Sequence, residues 1–308
     1  MKKWIARLLT LCMMLGLLCG CGSAGSGSDK PTESEQAVQT TAAQDEERET
    51  EPTKPTEAEE EEEDEPVELD VVLYDENGIK LTITGLENGY WAKELSFRLE
   101  NNTDHKVSFL IGEVQLNGIT IDASAMTMVY AGETEEETIK FYYDDLEVAG
   151  IEKIATVSCQ DAIITDSTNH TTLAVFPFSF EIPTAVGYEQ VIDESGEVVF
   201  EESGITVICR TVRNEDNEEQ IIMMVKNDMS QCVQIEMIDW TDDLFLNFGA
   251  GVKLWPGSVC FFAPEVYIDG EEQSTLDGVD EIMFVVQVLN PETEMPILES
   301  DALTVSIN

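Results

Sequence analysis

The amino-acid sequence predicts an all-β protein that contains two tandem sandwiches of antiparallel strands. Short apolar segments rich in Val, Ile, Phe and Tyr recur after residue 69, and Gly, Asn and Asp separate them. Within several of these segments apolar and polar residues alternate with the period of a strand. Helical periodicity is confined to one short stretch at residues 144–152. The second half of this region also repeats the pattern of the first.

The first half contains six predicted strands. The pattern is clearest where Leu95, Phe97 and Leu99 alternate with Ser96 and Arg98, because such a segment buries one face and exposes the other. The six strands are predicted at residues 71–74, 79–83, 95–99, 107–111, 154–159 and 176–182.

The repeat becomes visible at an offset of 126 residues. Matched blocks then follow one another in the same order over more than 100 residues, which is typical of a duplicated unit. In the clearest block Leu95 falls on Ile221, Phe97 on Met223, Leu99 on Val225 and Asn101 on Asn227. The predicted organisation is a signal at residues 1–20, a linker at 21–69, a sandwich at 70–183, an inter-domain linker at 184–196 and a second sandwich at 197–308.

The N-terminus has the pattern of a secretory signal. Lys2, Lys3 and Arg7 precede an apolar run at residues 8–18, which is too short to span a bilayer. No later stretch approaches the roughly 20 uninterrupted apolar residues of a membrane span. We therefore expect the chain to leave the cytoplasm and its body to be soluble.

The end of this signal indicates a lipid anchor. The sequence Leu18-Cys19-Gly20-Cys21 resembles the lipobox of bacterial lipoproteins. That resemblance implies that Cys21 receives a diacylglyceryl group and becomes the mature N-terminus, facing the extracellular side of the cell membrane. Two acyl chains hold a protein stably where one holds it only marginally. The alternative is an ordinary secretory signal with an incidental cysteine.

Residues 22–69 are predicted to be a disordered acidic linker. They hold 17 acidic and 3 basic residues and almost no branched apolar or aromatic side chains. Such a segment cannot bury enough surface to offset the entropy of ordering its backbone. A flexible chain of this length spans roughly 40 Å, and like charges extend it further. The acidic run at residues 59–65 is interpreted as a solvated spacer, with calcium binding as the alternative.

The overall charge excludes one class of partner. The chain has 63 acidic and 16 basic residues, which gives a net charge of −47. Nucleic-acid binding requires clustered Lys and Arg to displace counterions from phosphate, and the sequence contains no such cluster. Anionic lipid headgroups should be repelled for the same reason, so the acyl groups would hold the protein at the membrane.

Two segments carry a resemblance to a known family, residues 97–103 with the sequence FRLENNT and residues 146–154 with the sequence LEVAGIEKI. Through these segments the two sandwiches resemble the immunoglobulin-like repeats of lipid-anchored surface proteins of Firmicutes. It implies an immunoglobulin-like fold and little about activity, because many members of such families have no assigned function. The first sandwich has only Cys159 and therefore lacks the paired cysteines of antibody domains.

The cysteines of the body do not form a repeated framework. Cys209 aligns with Ile83, an apolar strand position, and is therefore expected to be a buried thiol. A bridge between Cys209 and Cys232 is the alternative in an oxidising compartment. Neither Cys159 nor Cys260 belongs to a CxxC or Cys/His motif, so no zinc site, other metal site or cofactor is predicted.

Catalytic residues are not predicted either. His105 and His170 are the only histidines, and both lie in polar stretches typical of turns. The pairs Asp144-Asp145 and Asp242-Asp243 could serve a glycosidase, yet 63 acidic residues make neighbouring pairs unavoidable. The sequence therefore favours a protein that is not an enzyme.

Aromatic residues indicate a binding surface. Tyr90 and Trp91 follow Gly89 between two predicted strands, and they have no counterpart in the second repeat. Loops at the end of a sandwich often carry recognition, so these two residues are the candidate ligand contacts. Trp255 aligns with Tyr130 and is expected to have a packing role, which both copies would share.

Together these patterns favour a non-catalytic surface lipoprotein. Its tandem sandwiches would present a binding or adhesive surface to an extracellular protein or glycan. One alternative is an accessory component of an envelope complex, for which the linker sets a distance. The other is a carbohydrate-active enzyme that uses paired carboxylates.

Overall fold

The structure is a computed structural model that describes residues 65–213, 219–239, 244–249, 251–268, 271–273, 276 and 279–307. The predicted signal, the lipid-attachment site at Cys21 and most of the predicted linker lie outside these residues. None of the helices within them combines the length and apolar character that crossing a bilayer would require.

Most of the described residues lie in strands, which confirms the all-β prediction. Each of the six predicted strands overlaps a strand of the structure, and the strands Ile119–Val129 and Thr134–Tyr142 are two that the sequence pattern did not identify. The short helix, Tyr143–Val148, overlaps the predicted helical stretch at residues 144–152 and begins one residue before it. The first strand begins at Val67, although the predicted linker extends to residue 69. The elements of the first half, residues 65–183, are β1 (Val67–Glu76), β2 (Ile79–Asn88), β3 (Ala92–Asn101), β4 (Val107–Leu116), β5 (Ile119–Val129), β6 (Thr134–Tyr142), α1 (Tyr143–Val148), β7 (Thr156–Asp166) and β8 (Thr171–Glu181).

These eight strands pack as two layers with Greek-key connections. One layer has the order β1-β2-β3-β6 and the other has the order β8-β7-β4-β5. The chain crosses between layers after β3, after β5 and after β6. The order of β2, β3 and β6 against β8, β7, β4 and β5 corresponds to the two sheets of an immunoglobulin-like sandwich, with β1 added at one edge.

The core of the first half follows from the alternation seen in the sequence. Leu95, Phe97 and Leu99 point inward from β3 and are at most 1% exposed. Phe97 meets Phe109 of the opposite layer with ring centroids 5.3 Å apart in an edge-to-face arrangement. Burial of a side chain of this size contributes roughly 2–3 kcal/mol, so this pair is a main contact between the layers.

The second half, residues 197–307, has the same pairing pattern around a second hydrophobic core. The strands are β9 (Glu197–Glu202), β10 (Ile205–Arg213), β11 (Glu219–Asn227), β12 (Val233–Asp239), β13 (Leu244–Asn247), β14 (Val252–Leu254), β15 (Val259–Phe262), β16 (Glu265–Ile268), β17 (Glu271–Gln273), β18 (Glu281–Leu289), β19 (Pro296–Glu299) and β20 (Leu303–Ser306). The order β9-β10-β11-β15 corresponds to β1-β2-β3-β6, and the order β14-β12-β18-β19 corresponds to β5-β4-β7-β8. A small additional sheet has the order β13-β16-β17, and β20 also pairs with β18.

A buried asparagine ends β3 in the first half. Asn101 is fully buried, and its Nδ2 donates to the carbonyl oxygens of His105 and Val129 at 2.8 and 3.1 Å. Its Oδ1 accepts from the backbone N and the hydroxyl of Thr103 at 3.0 and 2.6 Å. A single amide side chain thus fixes the turn after β3 and ties it to the end of β5.

Asn227 occupies the equivalent place in the second half. It is also fully buried, and its Nδ2 donates to the carbonyl oxygens of Gln231 and Leu254 at 3.0 and 2.7 Å. Its Oδ1 accepts from the backbone N of Met229 at 2.9 Å. The sequence match between Asn101 and Asn227 therefore reflects one hydrogen-bonding device that is present twice.

One continuous sheet joins the two halves. Strand β15 pairs in parallel with β5, with Val259 opposite Ile119 and Cys260 opposite Thr120. The result is an eight-stranded sheet of order β8-β7-β4-β5-β15-β11-β10-β9. Val259 also packs into the core of the first half, so the halves share backbone and side-chain contacts.

The predicted inter-domain linker, residues 184–196, is bonded to both halves. It begins in a 3-10 helix, Pro183–Ala185. Gln190 accepts a hydrogen bond from Asn117 at 3.1 Å and donates one to the Gly150 carbonyl at 2.8 Å. Arg210 of the second half donates to the Asp193 carbonyl at 2.9 Å.

Proline and acidic residues mark the outer strands of the eight-stranded sheet. Strand β8 contains Pro177, which lacks a backbone N–H, and β9 contains exposed Glu197, Glu201 and Glu202. Both features are typical of strands that end a sheet.

Candidate functional site

The hairpin between β2 and β3 presents two aromatic side chains to solvent. Tyr90 is 82% exposed and Trp91 is 72% exposed. Their ring centroids are 4.4 Å apart with an interplanar angle of 87°, an edge-to-face pair. Large aromatic rings are costly to leave in water, and they dominate many recognition surfaces. The structure thus gives both predicted contact residues the exposure that ligand binding needs.

The backbone of this hairpin is held in place. The amide of Gly89 donates to the Ala92 carbonyl at 2.8 Å. Tyr143, the first residue of α1, donates its backbone N–H to the Trp91 carbonyl at 3.1 Å and its hydroxyl to the Gly89 carbonyl at 3.2 Å. A Cβ at position 89 would lie 2.8 Å from a Glu94 carboxylate oxygen and 3.0 Å from the Ala92 carbonyl oxygen, so a larger residue there would have to displace a neighbour. The turn that carries the aromatic pair is therefore held by hydrogen bonds to Ala92 and Tyr143.

A third exposed aromatic residue lies next to the hairpin. Tyr142, at the end of β6, is 50% exposed and lies opposite Ala92 in the β3–β6 pairing. Nearby, Lys140 and Glu94 form an ion pair at 3.4 Å. The surface beside Tyr90 and Trp91 therefore combines aromatic faces with charged groups.

Tyr142 also lines a cleft that the sequence did not predict. The cleft has a volume of about 610 Å³ and lies between β5, β6 and α1 of the first half and the region of β14–β16 of the second. This volume falls in the range of ligand-binding pockets. Four carboxylates line it, from Asp122, Glu137, Asp145 and Glu265.

Asp145 lines this cleft from the first turn of α1. Partial burial in the cleft raises its pKa, and the negative charges of Asp122 and Asp144 raise it further. The Asp145 side chain remains in contact with water. Its raised pKa therefore reflects partial burial together with nearby negative charge, and not complete removal from solvent. A cation entering the cleft would relieve this repulsion.

The remaining sequence candidates have structural explanations or lie outside the described residues. Cys21 and the pair Asp242-Asp243 are outside. His105 is beside Asp104, with Nδ1 3.1 Å from Oδ1, and His170 is an exposed turn residue with a positive φ. Within the part of the chain that the structure describes, no three His, Cys, Asp or Glu side chains cluster as metal ligands would.

Trp255 and Tyr130 lie at equivalent turns. The Tyr130 carbonyl accepts from the amide of Glu133 at 3.1 Å, and the Trp255 carbonyl accepts from the amide of Ser258 at 3.1 Å. The aligned pair thus marks a repeated turn. The Lys106 Nζ lies 4.6 Å from the centroid of the Tyr130 ring.

All four described cysteines are free thiols. Cys159, Cys209 and Cys260 are buried, as expected for Cys209 from its apolar strand position, and Cys232 is half-buried. The alternative bridge between Cys209 and Cys232 is not present.

Comparison with known proteins identifies no relative that explains this site. No protein family and no curated protein matches the chain. Among solved structures, the exo-chitosanase CsxA of Amycolatopsis orientalis is 14% identical with a TM-score of 0.22. The match covers 72% of this chain and 26% of the chitosanase, so the chain spans about a quarter of that enzyme. At this TM-score the likeness transfers neither a fold nor an activity.

Proposed function

We propose that this protein is a non-catalytic surface lipoprotein that is held to the membrane by acyl groups on Cys21 and binds an extracellular protein or glycan. The observation that carries the proposal is the exposed aromatic pair Tyr90 and Trp91 on a fixed turn. Because the turn is already ordered, binding costs little conformational entropy. The faces of the two rings offer stacking and apolar contact, and neighbouring polar groups can orient a ligand.

The decisive experiment compares two double variants of the full chain, purified in detergent. Tyr90→Ser/Trp91→Ser removes the aromatic pair, whereas Val191→Ser/Met295→Ser removes two other exposed apolar side chains of the second half and the segment before it. Each protein is tested on a glycan array and in a crosslinking pull-down from the outer surface of intact cells. We expect the parent and the control to retain the same partner and the aromatic variant to lose at least about tenfold in binding.

The two arms of this experiment separate glycan from protein partners. A parent protein that retains nothing in either arm would argue against the binding function. An aromatic variant that retains the same partner as the parent would reject the hairpin as the contact.

Anchoring has its own test. Cys21→Ala should move the full chain from the membrane fraction to the soluble fraction, because only acylation would hold so acidic a protein at the bilayer. A variant that stays in the membrane fraction would contradict the anchor. If the protein instead serves an envelope complex, shortening the segment 22–64 should abolish assembly while the described body still folds.

A carboxylate-dependent hydrolase is the second candidate, favoured by the raised pKa of Asp145 beside Asp122 in one cleft. A carboxylic acid with a raised pKa can act as a general acid while a neighbouring carboxylate remains ionised. Release of reducing ends from a panel of polysaccharides, lost in Asp145→Asn and kept in Asp144→Asn, would support this function. Absence of turnover by the parent protein would reject it.

A further inference from the structure

The cleft opens where two strands of the joined sheet separate. Strands β5 and β15 pair at only two positions, Ile119 with Val259 and Thr120 with Cys260. Beyond Thr120, β5 continues to Val129 and pairs with β4 on its opposite side, with one register shift between Asp122 and Ala125. In the part of the chain described by the structure, no other strand pairs with that free edge of β5.

The edge strand β6 forms the opposite wall of the cleft. It pairs with β3, and Glu137, Thr138, Lys140 and Tyr142 line the space on its other side. A strand with a neighbour on one side only directs every second backbone N–H and C=O toward the vacant side. The cleft is therefore bordered by backbone groups of a kind that accept another strand.

A buried hydroxyl marks the point at which β5 and β15 separate. Thr120 is 3% exposed and lines the cleft, and its Oγ1 makes no hydrogen bond within the described residues. Buried polar atoms are nearly always paired, so the Thr120 hydroxyl is free to form a hydrogen bond with a group that enters the cleft.

The side chains of the cleft specify charge and shape. Asp122, Glu137, Asp145 and Glu265 supply negative charge, while the lining cation, Lys140, is already paired with Glu94. Apolar surface lies among these acids, from side chains that include Met126, Val148 and Phe261. An extended peptide with alternating basic and apolar residues matches this pattern, because its side chains alternate between two faces.

We propose that this cleft binds an extended basic peptide segment of a partner protein, which adds as a strand along the free edge of β5. Residues 121–127 of β5 line the cleft and span about 20 Å, enough for a segment of six or seven residues. Main-chain hydrogen bonds would supply affinity, and the carboxylates would select Lys and Arg side chains. Neither Tyr90 nor Trp91 lines the cleft, so this inference does not rest on the binding function proposed for the hairpin.

The test uses the full chain in detergent and a fluorescein-labelled nine-residue peptide of alternating lysine and valine. Binding is measured by fluorescence anisotropy. Two further peptides serve as controls: one replaces lysine by glutamate, and the other keeps the lysines but carries N-methyl groups on alternate backbone amides. We expect the lysine–valine peptide to bind, the glutamate peptide not to bind, and N-methylation to weaken binding about tenfold or more.

Variants of the protein test whether the peptide binds in the cleft. Asp122→Asn/Asp145→Asn should weaken binding of the lysine–valine peptide about tenfold, whereas Asp75→Asn/Glu181→Gln removes the same charge elsewhere and should leave binding unchanged. Circular dichroism checks that each variant is folded, and the N-methylated peptide tests the proposal on the parent protein alone.

Three outcomes would overturn the proposal. The first is no binding of the lysine–valine peptide to the parent protein. The second is equal binding of the N-methylated peptide, which would show that no strand is added. The third is displacement of the labelled peptide by spermine, a polyamine without a peptide backbone, as effectively as by the unlabelled lysine–valine peptide. That result would show attraction by charge alone. The hairpin assay is unaffected by any of them, so the two proposals can fail separately.

Discussion

Lys253 of the second half forms an ion pair with Asp161 of the first half, with 2.7 Å between Nζ and Oδ2. The backbone N of Lys253 also donates to the Glu113 carboxylate at 3.1 Å. Burial alone would lower the Lys253 pKa, but the hydrogen bond and the charge of Asp161 raise it above its ordinary value. Lys253 is therefore charged at neutral pH and forms a second link between the two halves, in addition to the β5–β15 pairing.

Removal of this lysine should destabilise the joined sheet. We expect Lys253→Met to lower the free energy of unfolding by about 1 kcal/mol, because both partners remain partly in contact with water. Urea unfolding of Lys253→Met, Asp161→Asn and the double variant measures their coupling energy. A coupling energy near zero would contradict a role for this pair in joining the halves.

The two buried asparagines should be among the most sensitive polar positions. Asn101→Ala and Asn227→Ala each leave backbone groups without partners in the interior, so we expect losses of about 2–4 kcal/mol in unfolding free energy. Asn101→Ala should cost more, because Asn101 has the additional bond from the Thr103 hydroxyl. The exposed neighbour gives the control: Asn102→Ala should cost less than about 0.5 kcal/mol by urea unfolding.

Two glycines between the halves should respond differently to the same substitution. Gly196 and Gly187 both have positive φ, but a Cβ at position 196 would lie 2.5 Å from the Cys209 carbonyl oxygen, and a Cβ at 187 would meet nothing within 4 Å. We expect Gly187→Ala to cost about 1 kcal/mol from backbone strain alone. Gly196→Ala should cost at least about 2 kcal/mol more, which thermal unfolding can measure. Equal effects would show that the close approach to Cys209 is unimportant.

Thiol labelling should distinguish one cysteine from the other three. Burial raises the pKa of Cys159 to about 11 and that of Cys209 to about 12, and it also raises the pKa of Cys260. Burial also raises the pKa of Cys232, to about 11, but this side chain is only half-buried. Under native conditions at pH 8, iodoacetamide should therefore label Cys232 first among these four, as judged by peptide mass mapping, and the rest should react after unfolding. Early labelling of a buried thiol would contradict the packing.

The charge of Asp145 should reduce stability at neutral pH. Its pKa is raised in the folded state, so the folded protein binds this proton more tightly than the unfolded chain does. The resulting penalty is present above the folded pKa and disappears as the pH falls through it toward the unfolded value. Asp145→Asn should accordingly be more stable than the parent at pH 7, and urea unfolding should show this advantage shrinking toward about pH 4. An advantage that does not change with pH would point to another cause.

The sequence predicted the features that depend on local pattern and on repetition. Leu95, Phe97 and Leu99 are buried as their alternation indicates, and Asn101 and Asn227 are equivalent in their hydrogen bonds. Tyr90 and Trp91 lie between two predicted strands and have no counterpart in the second repeat, which also indicated an exposed position rather than a shared packing role.

The cleft could not be predicted because it depends on contacts between distant segments. Strand β5 contains the run Ala123-Ser124-Ala125, which has weak strand propensity, and the strand was not identified. Its parallel pairing with β15 involves two residues on each strand, too few to leave a sequence pattern. Asp122, Asp145 and Glu265 are far apart along the chain, so only the fold brings their charges together.

Pro177 in β8 and the glutamates of β9 affect what happens when many copies crowd together. If two copies paired through their β9 strands, carboxylates would face each other, and pairing through β8 would meet Pro177, which has no backbone N–H to donate. The protein should therefore resist fibril formation at high concentration. Addition of strands is disfavoured at the two outer edges of the sheet, which leaves the free edge of β5 in its interior as the place for an incoming strand.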